Sequence, residues 1–303
     1  MDAFLGWFML VGAIPLPVWL QQMYLGLVNS SVYVLLALGL TIIFGLLGIM
    51  NFAHGAFYML GAYVGWLFLR LTGSFWVALA IIPFVGAGMG FLVESYLLRR
   101  TYNRKESEFL GILVTFGLGF AAPDLVRWIF GNLGLPYLKP LSEPLFKIGG
   151  VAFSQYRFFL ILITVLLACA LWWLLQRTDL GMIIRAGISN SLMVEVLGTD
   201  IRKIWTFTFC LGLAIASFAG VLVGPILAVQ PTMGGEILIQ CFIVVIIGGL
   251  GSFWGAVISG VLVGQILTLF PLLPHCSQLG EIVIFVVAGV VLLTRPRGLF
   301  GLE

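Results

Sequence analysis

Long apolar runs separated by short polar stretches make up most of the chain. Several runs exceed the roughly 18–20 apolar residues that cross a bilayer. Segments 158–175 and 237–248 also lack the period-two alternation of barrel strands. Because backbone groups in hydrocarbon must be paired within their own segment, these runs predict α-helices. The predicted helices lie near 24–48, 52–69, 75–98, 109–130, 157–176, 204–229, 237–250, 253–270 and 281–294.

The first apolar run, residues 3–20, is either a further helix or an interfacial segment broken by Pro15 and Pro17. Asp2 precedes it and no basic residue does, which argues against a cleaved signal peptide. The pattern predicts an all-α polytopic transmembrane bundle of eight to ten membrane segments with glycine-rich discontinuous helices. It forms one domain, 1–303, that contains a cytoplasmic loop at 178–203.

Composition agrees with this class and excludes others. Of the 303 residues, 61% are hydrophobic and 9% are charged, whereas soluble domains carry about 25% charged residues. The net charge of +3 comes from scattered side chains and does not predict nucleic-acid binding. The 38 glycines allow close helix packing and unwound turns at membrane depth.

Side chains that usually carry catalysis or bind metals stand alone. The four cysteines show no CxxC spacing, so ordinary packing is expected rather than metal or disulfide chemistry. Neither His54 nor His275 has a second metal-binding residue at the i,i+4 spacing of a helical metal site. The phosphate-loop motif GxxxxGK[ST] is also absent. We therefore expect no enzymatic activity and no cofactor bound by this chain.

Basic residues predict the orientation. Regions 94–108, 177–203 and 295–297 hold ten of the fifteen Lys and Arg residues. Even numbers of predicted helices separate them, so all three can share the cytoplasmic face, as the positive-inside rule requires. Residues 131–156, rich in glycine and proline, then form an external, structured connection.

Few charges lie within the apolar runs. Asp124 and Arg127 are three residues apart and are expected to form a local ion pair. Glu94 adjoins the basic loop and is expected to reach the cytoplasm. Glu236 and Glu281 open apolar runs, where a carboxylate complements a helix N-terminus. This sparseness favours a pathway for a small, largely apolar solute and argues against a proton relay.

Two glycine-rich segments are predicted to break helices, and such breaks lie near the substrate sites of many transporters. His54 is interpreted as a structural residue, with a pathway-lining or pH-sensitive role as the alternative. The candidate pathway or helix-break residues are Asn51, Phe52, His54 and Gly55 in the first segment and Gly248, Gly249, Gly251 and Ser252 in the second.

The loop 178–203 contains apolar residues at helical spacing, followed by Gly198 as a C-cap. It is longer than most connections in a compact domain. The pattern predicts a short amphipathic helix at the membrane surface. It either joins two spans or docks another protein.

Four blocks of the sequence resemble the permeases of branched-chain amino acid ABC transporters, the LivH-like family. The similarity extends over about residues 20–301, and the Asn-Phe-Ala-His-Gly block is its most specific part. This chain departs from the family pattern at Ser189-Asn190, where an acidic pair is common, and at Gln240, where a lysine is common. The matching residues are Gly39-Leu40-Thr41 with Asn51-Phe52-Ala53-His54-Gly55 and Met59-Leu60-Gly61-Ala62-Tyr63; Gly181, Arg185-Ala186 and Leu197-Gly198; Gly248-Gly249-Leu250-Gly251-Ser252 with Gly255-Ala256; and Arg295 to Gly301.

The resemblance implies a multi-pass permease of the bacterial inner membrane with a cytoplasmic C-terminus. Its implied partners are a second, homologous permease, two cytoplasmic ATPase subunits that use ATP, and a periplasmic substrate-binding protein. Related permeases carry urea, short amides or aromatic acids, and a stand-alone secondary transporter or channel is a further alternative. The implied coupling residues are Gly181, Arg185, Ala186, Asn190, Glu195, Leu197 and Gly198.

Overall fold

The computed structural model describes residues 15–102, 106–137, 140–141, 144–148, 151–273 and 279–301. Within these ranges the chain forms ten α-helices and one small β-hairpin. All nine predicted helices are present, and the tenth is the predicted surface helix. The elements are α1 (Leu16–Leu47), α2 (His54–Thr72), α3 (Phe75–Tyr96), α4 (Ser107–Phe130), β1 (Pro144–Ile148), β2 (Val151–Ser154), α5 (Gln155–Arg177), α6 (Asp179–Val196), α7 (Ile201–Val223), α8 (Met233–Gly248), α9 (Phe253–Leu269) and α10 (Leu279–Thr294).

The first helix begins earlier than the apolar run predicted, at Leu16 instead of near residue 24. Pro17 does not break it, because proline in the first turn removes only an N–H that would have no helical partner. The rest of the apolar N-terminal run, up to residue 14, lies outside the described residues.

Six helices of the described chain are long and apolar enough to cross a membrane: α1, α3, α4, α5, α7 and α9. Helices α8 and α10 have 16 residues each. At 1.5 Å per residue such a helix is about 24 Å long, shorter than the hydrocarbon layer of about 30 Å. The fold is the predicted polytopic helical bundle, and its helices are of unequal length.

Helices α1 and α7 form the buried centre of the bundle. Small residues allow their neighbours to approach at backbone distance. Helix α9 runs antiparallel to α1, with Gly260 against Val34 and Gly264 against Ser30. Helix α2 runs parallel to α7, with Gly61 against Ser217.

The connection between α4 and α5 contains the hairpin, in which β1 and β2 pair antiparallel. An isolated bridge joins Leu135 to Val229, which follows α7. The Tyr137 hydroxyl donates to the Ala62 carbonyl at 3.2 Å. These contacts fit the prediction of a structured connection, although its strands were not predicted.

The predicted basic regions meet at one end of the bundle, here called the basic end. Arg99, after α3, donates to the Thr206 hydroxyl near the start of α7 at 2.9 Å. Gly45, near the end of α1, lies against Gly251, and Gly249 lies against the C-terminal Gly301.

The expectation that Glu94 reaches the cytoplasm is wrong. Its carboxylate is completely buried beside Arg99, at 3.2 Å, and accepts a hydrogen bond from the Thr206 hydroxyl at 2.7 Å. Packing of α3 against α7 encloses the Glu94 side chain, and the Arg99 guanidinium lies beside its carboxylate.

Candidate functional site

The backbone turns back into the bundle between α1 and α2. Helix α1 ends at Leu47, and Gly48 adopts the left-handed conformation with φ 68°. Helix α2 begins at His54, whose Nε2 donates to the Leu36 carbonyl at 3.1 Å. Leu36 lies eleven residues before the end of α1, about 16 Å along its axis. Helix α2 therefore starts about a third of the length of α1 back from its end, in agreement with the predicted helix break.

Asn51 and Thr115 pair backbone groups of this break, and His54 ties the start of α2 to the interior of α1. The Asn51 Oδ1 accepts from Ala53 N–H at 3.1 Å, and Thr115 of α4 accepts from Phe52 N–H at 3.3 Å. His54 contributes its bond to Leu36. Asn51, His54 and Thr115 are each at most 1% exposed. Thr115 was not singled out from sequence, because a threonine in an apolar helix has no distinguishing pattern.

A second helix begins beside this break. Helix α8 starts at Met233, and Gly234 packs directly against Gly55. A Cβ on either glycine would collide with the carbonyl oxygen of the other. Helices α2 and α8 therefore begin next to each other inside the bundle.

A cavity of about 670 Å³ lies beside these two helix starts. Its walls come from α2, α4, α8 and the segment before α8, and Phe52 is part of its lining. The Phe52 ring also contacts Phe116 and Phe242, with centroids 5.7 and 4.9 Å away. Along α4 the cavity extends from Gly119 to Arg127, away from the basic end.

Three charged side chains of the described part of the chain line this cavity: Asp124, Arg127 and Glu236. The predicted ion pair is confirmed, since Arg127 Nη1 lies 2.7 Å from Asp124 Oδ1. Glu236 occupies the first turn of α8, as its position in the apolar run predicted. The sequence did not predict that Glu236 shares a cavity with the other two, because they belong to helices far apart in the chain.

The second glycine block, Gly248–Ser252, forms the turn between α8 and α9 at the basic end. Gly249 and Gly251 have φ values of 102° and 83°, and the Ser252 hydroxyl caps α9 by accepting from Gly255 N–H. Leu299 N–H donates to the Ile247 carbonyl, so the C-terminal segment covers this turn. Neither the turn nor the tail lines the cavity that contains Phe52.

Helix α6 is the predicted surface helix. Thr178 caps its start by accepting from Gly181 N–H at 3.1 Å. Gly198, with φ 89°, follows its end as predicted. A kink at Asn190 was not predicted; there the Asn190 Oδ1 accepts from Met193 N–H at 3.0 Å and caps the second part of the helix.

One face of α6 packs on the bundle and the other is open. Gly181 and Gly187 are buried, and Gly187 lies against Leu46 at the end of α1. Arg185, Ala186, Asn190, Glu195 and Gly198 are exposed. Large apolar side chains are exposed among them: Leu192 at 70%, Val196 at 75% and Leu197 at 77%.

Comparison with known proteins identifies the family. The profile described as "Branched-chain amino acid transport system / permease component" matches residues 22–292. The high-affinity branched-chain amino acid permease protein BraD of Pseudomonas aeruginosa is 28% identical, over 93% of this chain and 96% of BraD. LivH of Escherichia coli K12 is also 28% identical, over 93% of this chain and 95% of LivH.

LivM of the same Escherichia coli strain, another permease of a high-affinity branched-chain amino acid transport system, is 25% identical over 77% of this chain and 60% of LivM. The LivH-like resemblance of the sequence motifs is thus confirmed over nearly the whole chain. The chain belongs to the family of branched-chain amino acid transport system permease components.

Proposed function

We propose that this chain is the transmembrane permease subunit of an ATP-binding-cassette importer for branched-chain or other apolar amino acids. The observation that carries the proposal is the family match over residues 22–292. The cavity beside the broken helices supports it, because apolar side chains line most of its wall. ATP hydrolysis belongs to separate subunits, and this chain binds no cofactor.

Helix α6 is the coupling helix that receives the motion of a cytoplasmic ATPase. Its exposed face combines Arg185 and Glu195 with Leu192, Val196 and Leu197. An apolar cluster of this kind outside the bundle favours a protein partner. The buried Gly187 seats the helix on the end of α1, so a displacement of α6 would reach the helix that precedes the break. A stand-alone transporter has no need of such a surface.

A second, homologous permease covers the open side of the cavity. Helix α4, which lines this side, exposes Phe120 at 64% and Trp128 at 84%. Escherichia coli has both LivH and LivM as relatives of this chain, which favours a paired arrangement. A periplasmic binding protein delivers the amino acid to the pair.

The chain lies in the bacterial inner membrane with the basic end, the coupling helix and the C-terminus in the cytoplasm. The positive-inside rule supports this orientation. The regions at this end hold ten of the fifteen Lys and Arg residues.

The test is reconstitution of the full transporter, in which the chain is co-expressed with its second permease, ATPase and binding-protein subunits. With ATP inside proteoliposomes and binding protein outside, radiolabelled L-leucine should accumulate. Arg185→Glu should lower uptake and binding-protein-stimulated ATP hydrolysis about tenfold, because it reverses a charge at the ATPase interface. Arg157→Glu, at the opposite end of the bundle, is the control.

The proposed coupling role of α6 fails if Arg185→Glu assembles normally and keeps wild-type stimulation. The permease function itself fails if the assembled wild-type complex takes up no leucine in the presence of ATP.

His54 is proposed to hold the broken backbone and not to touch the solute. His54→Leu removes the donor to the Leu36 carbonyl, and loss of a buried hydrogen bond costs about 1–3 kcal/mol. We expect less assembled complex and a lower melting temperature, with partial recovery in His54→Gln, whose amide can still donate. Normal assembly of His54→Leu with altered leucine transport would contradict the structural role.

A further inference from the structure

The charges that line the cavity form an unusual set for this protein. Asp124 and Arg127 lie on α4 and Glu236 lies on α8, and Glu236 and Arg127 are both exposed to the cavity side. Among the residues that the structure describes, the rest of the lining has no charged side chain. A cavity of about 670 Å³ is within the range of about 300–1,000 Å³ that is typical of small-molecule sites.

Ionisable groups that face a cavity in a membrane protein often mark a site of function. Asp124 and Arg127 compensate each other, but Glu236 has no ion-pair partner within 4.0 Å among the described residues. Arg127 uses one terminal nitrogen for Asp124, which leaves further guanidinium N–H groups available. The cavity thus offers an unpaired carboxylate and a cation with free donors.

The signs of these two charges are complementary to those of the ammonium and carboxylate groups of an α-amino acid. Moving an ammonium or a carboxylate group from water into a helical bundle costs free energy unless a group of opposite charge binds it. Urea and short amides carry no charge and have no need of such partners. An apolar wall with one anionic and one cationic contact instead fits a zwitterion with an apolar side chain.

We propose that the cavity is an amino-acid binding site in the half of the pathway farther from the basic end. Glu236 binds the α-ammonium group and Arg127 binds the α-carboxylate. Phe52, Leu238 and Ile239 surround the apolar side chain. This assignment rests on the proposed permease function and adds to it the residues that bind the two charged groups of the substrate.

Asp124 is a positioning residue in this site. Its bond to Arg127 Nη1, at 2.7 Å, directs the guanidinium along α4 and keeps the cation balanced when the site is empty. Asp124→Asn should therefore weaken leucine transport less than Arg127→Gln does, through a higher KM with little change in kcat.

The first experiment measures L-leucine uptake by the reconstituted transporter. Glu236→Gln and Arg127→Gln should each lower the uptake efficiency by about tenfold or more, because each removes a charge-assisted hydrogen bond to the substrate. Assembly of the complex should remain unchanged. Glu236→Asp and Arg127→Lys should retain part of the uptake.

Matched controls are Glu281→Gln and Arg157→Gln. These residues occupy the first turns of α10 and α5, and neither lines the cavity. Both should transport at the wild-type rate. If the wild type transports leucine and all four neutral variants stay within twofold of it, the binding site is wrong while the permease function stands. A wild type without uptake would instead overturn the permease function.

A second measurement leaves the proposed charges intact. Ile239→Cys, in a background with the four native cysteines replaced by alanine, places a thiol at the exposed edge of the cavity. During turnover, L-leucine should slow its modification by a methanethiosulfonate reagent, whereas isoamylamine, which lacks the carboxylate, should not. Equal modification rates with and without leucine would overturn the proposal, even if the charge variants do not assemble.

Discussion

Gly234→Val is expected to abolish assembly of the folded permease, whereas Gly235→Val, one residue later, should be tolerated. A Cβ on Gly234 would collide with the Gly55 carbonyl group, while a Cβ on Gly235 meets no atom within 4 Å. The obstacle is backbone at the start of α2, which cannot rotate away as a side chain can. The two variants therefore separate a steric effect from a general loss of glycine in this turn.

The expected size of this effect follows from the packing. Overpacking costs about 1–3 kcal/mol where side chains can adjust, and more where they cannot. Net stabilities are only about 5–15 kcal/mol, so the two helix starts should separate. Size-exclusion chromatography of the detergent-solubilised complex, with a thermal melt, measures both variants. A monodisperse Gly234→Val complex with a wild-type melting temperature would contradict the close approach of α2 and α8.

Arg99→Leu should destabilise the protein strongly, whereas Arg100→Leu should not. Arg99 contacts the fully buried Glu94 carboxylate at 3.2 Å and Thr206 at 2.9 Å. Its removal leaves a buried charge that only hydroxyl groups still stabilise. Fully buried pairs cost about 3–5 kcal/mol when broken. Since 43% of the Arg99 side chain is exposed, we expect about 1–3 kcal/mol after solvent screening.

The double variant Glu94→Gln, Arg99→Leu separates the effect of the buried charge on stability from the effect of lost packing. The amide removes the buried negative charge, so this variant should recover most of the melting temperature lost in Arg99→Leu. Burial, reinforced by the Glu94 charge, raises the pKa of nearby Tyr102, so its phenol stays neutral and adds no second negative charge beside Glu94. Equal melting temperatures for the Arg99 and Arg100 variants would show that the pair adds nothing to stability.

Most of the helical architecture could be predicted from the sequence. Apolar length gave the positions of nine helices, and the basic residues indicated which loops meet at one end. The start of α1 was predicted too late, because Pro17 looks like a breaker but occupies the first helical turn. The sequence predicted a break before α2 but not the depth at which α2 begins, because hydropathy does not show where a helix starts along the membrane normal.

The candidate site was only partly predictable. Asn51, Phe52, His54 and Gly55 were found because an amide and an imidazole are conspicuous in an apolar run. Gly248–Ser252 is equally conspicuous and forms a real helix break, but its location at the basic end depends on how α8 and α9 pack. Gly234 and Thr115, which contact the first break, carry no distinguishing local pattern.

The sequence by itself determined that this protein is a helical membrane permease with a surface helix ended by Gly198, because hydropathy, charge and family motifs are properties of local segments. Only the tertiary structure decided that Glu94 is buried against Arg99 and that Gly55 meets Gly234. It also brought Glu236 into one cavity with Asp124 and Arg127. These contacts join segments that are distant in the chain, and their geometry depends on how the helices cross and where each begins in the membrane.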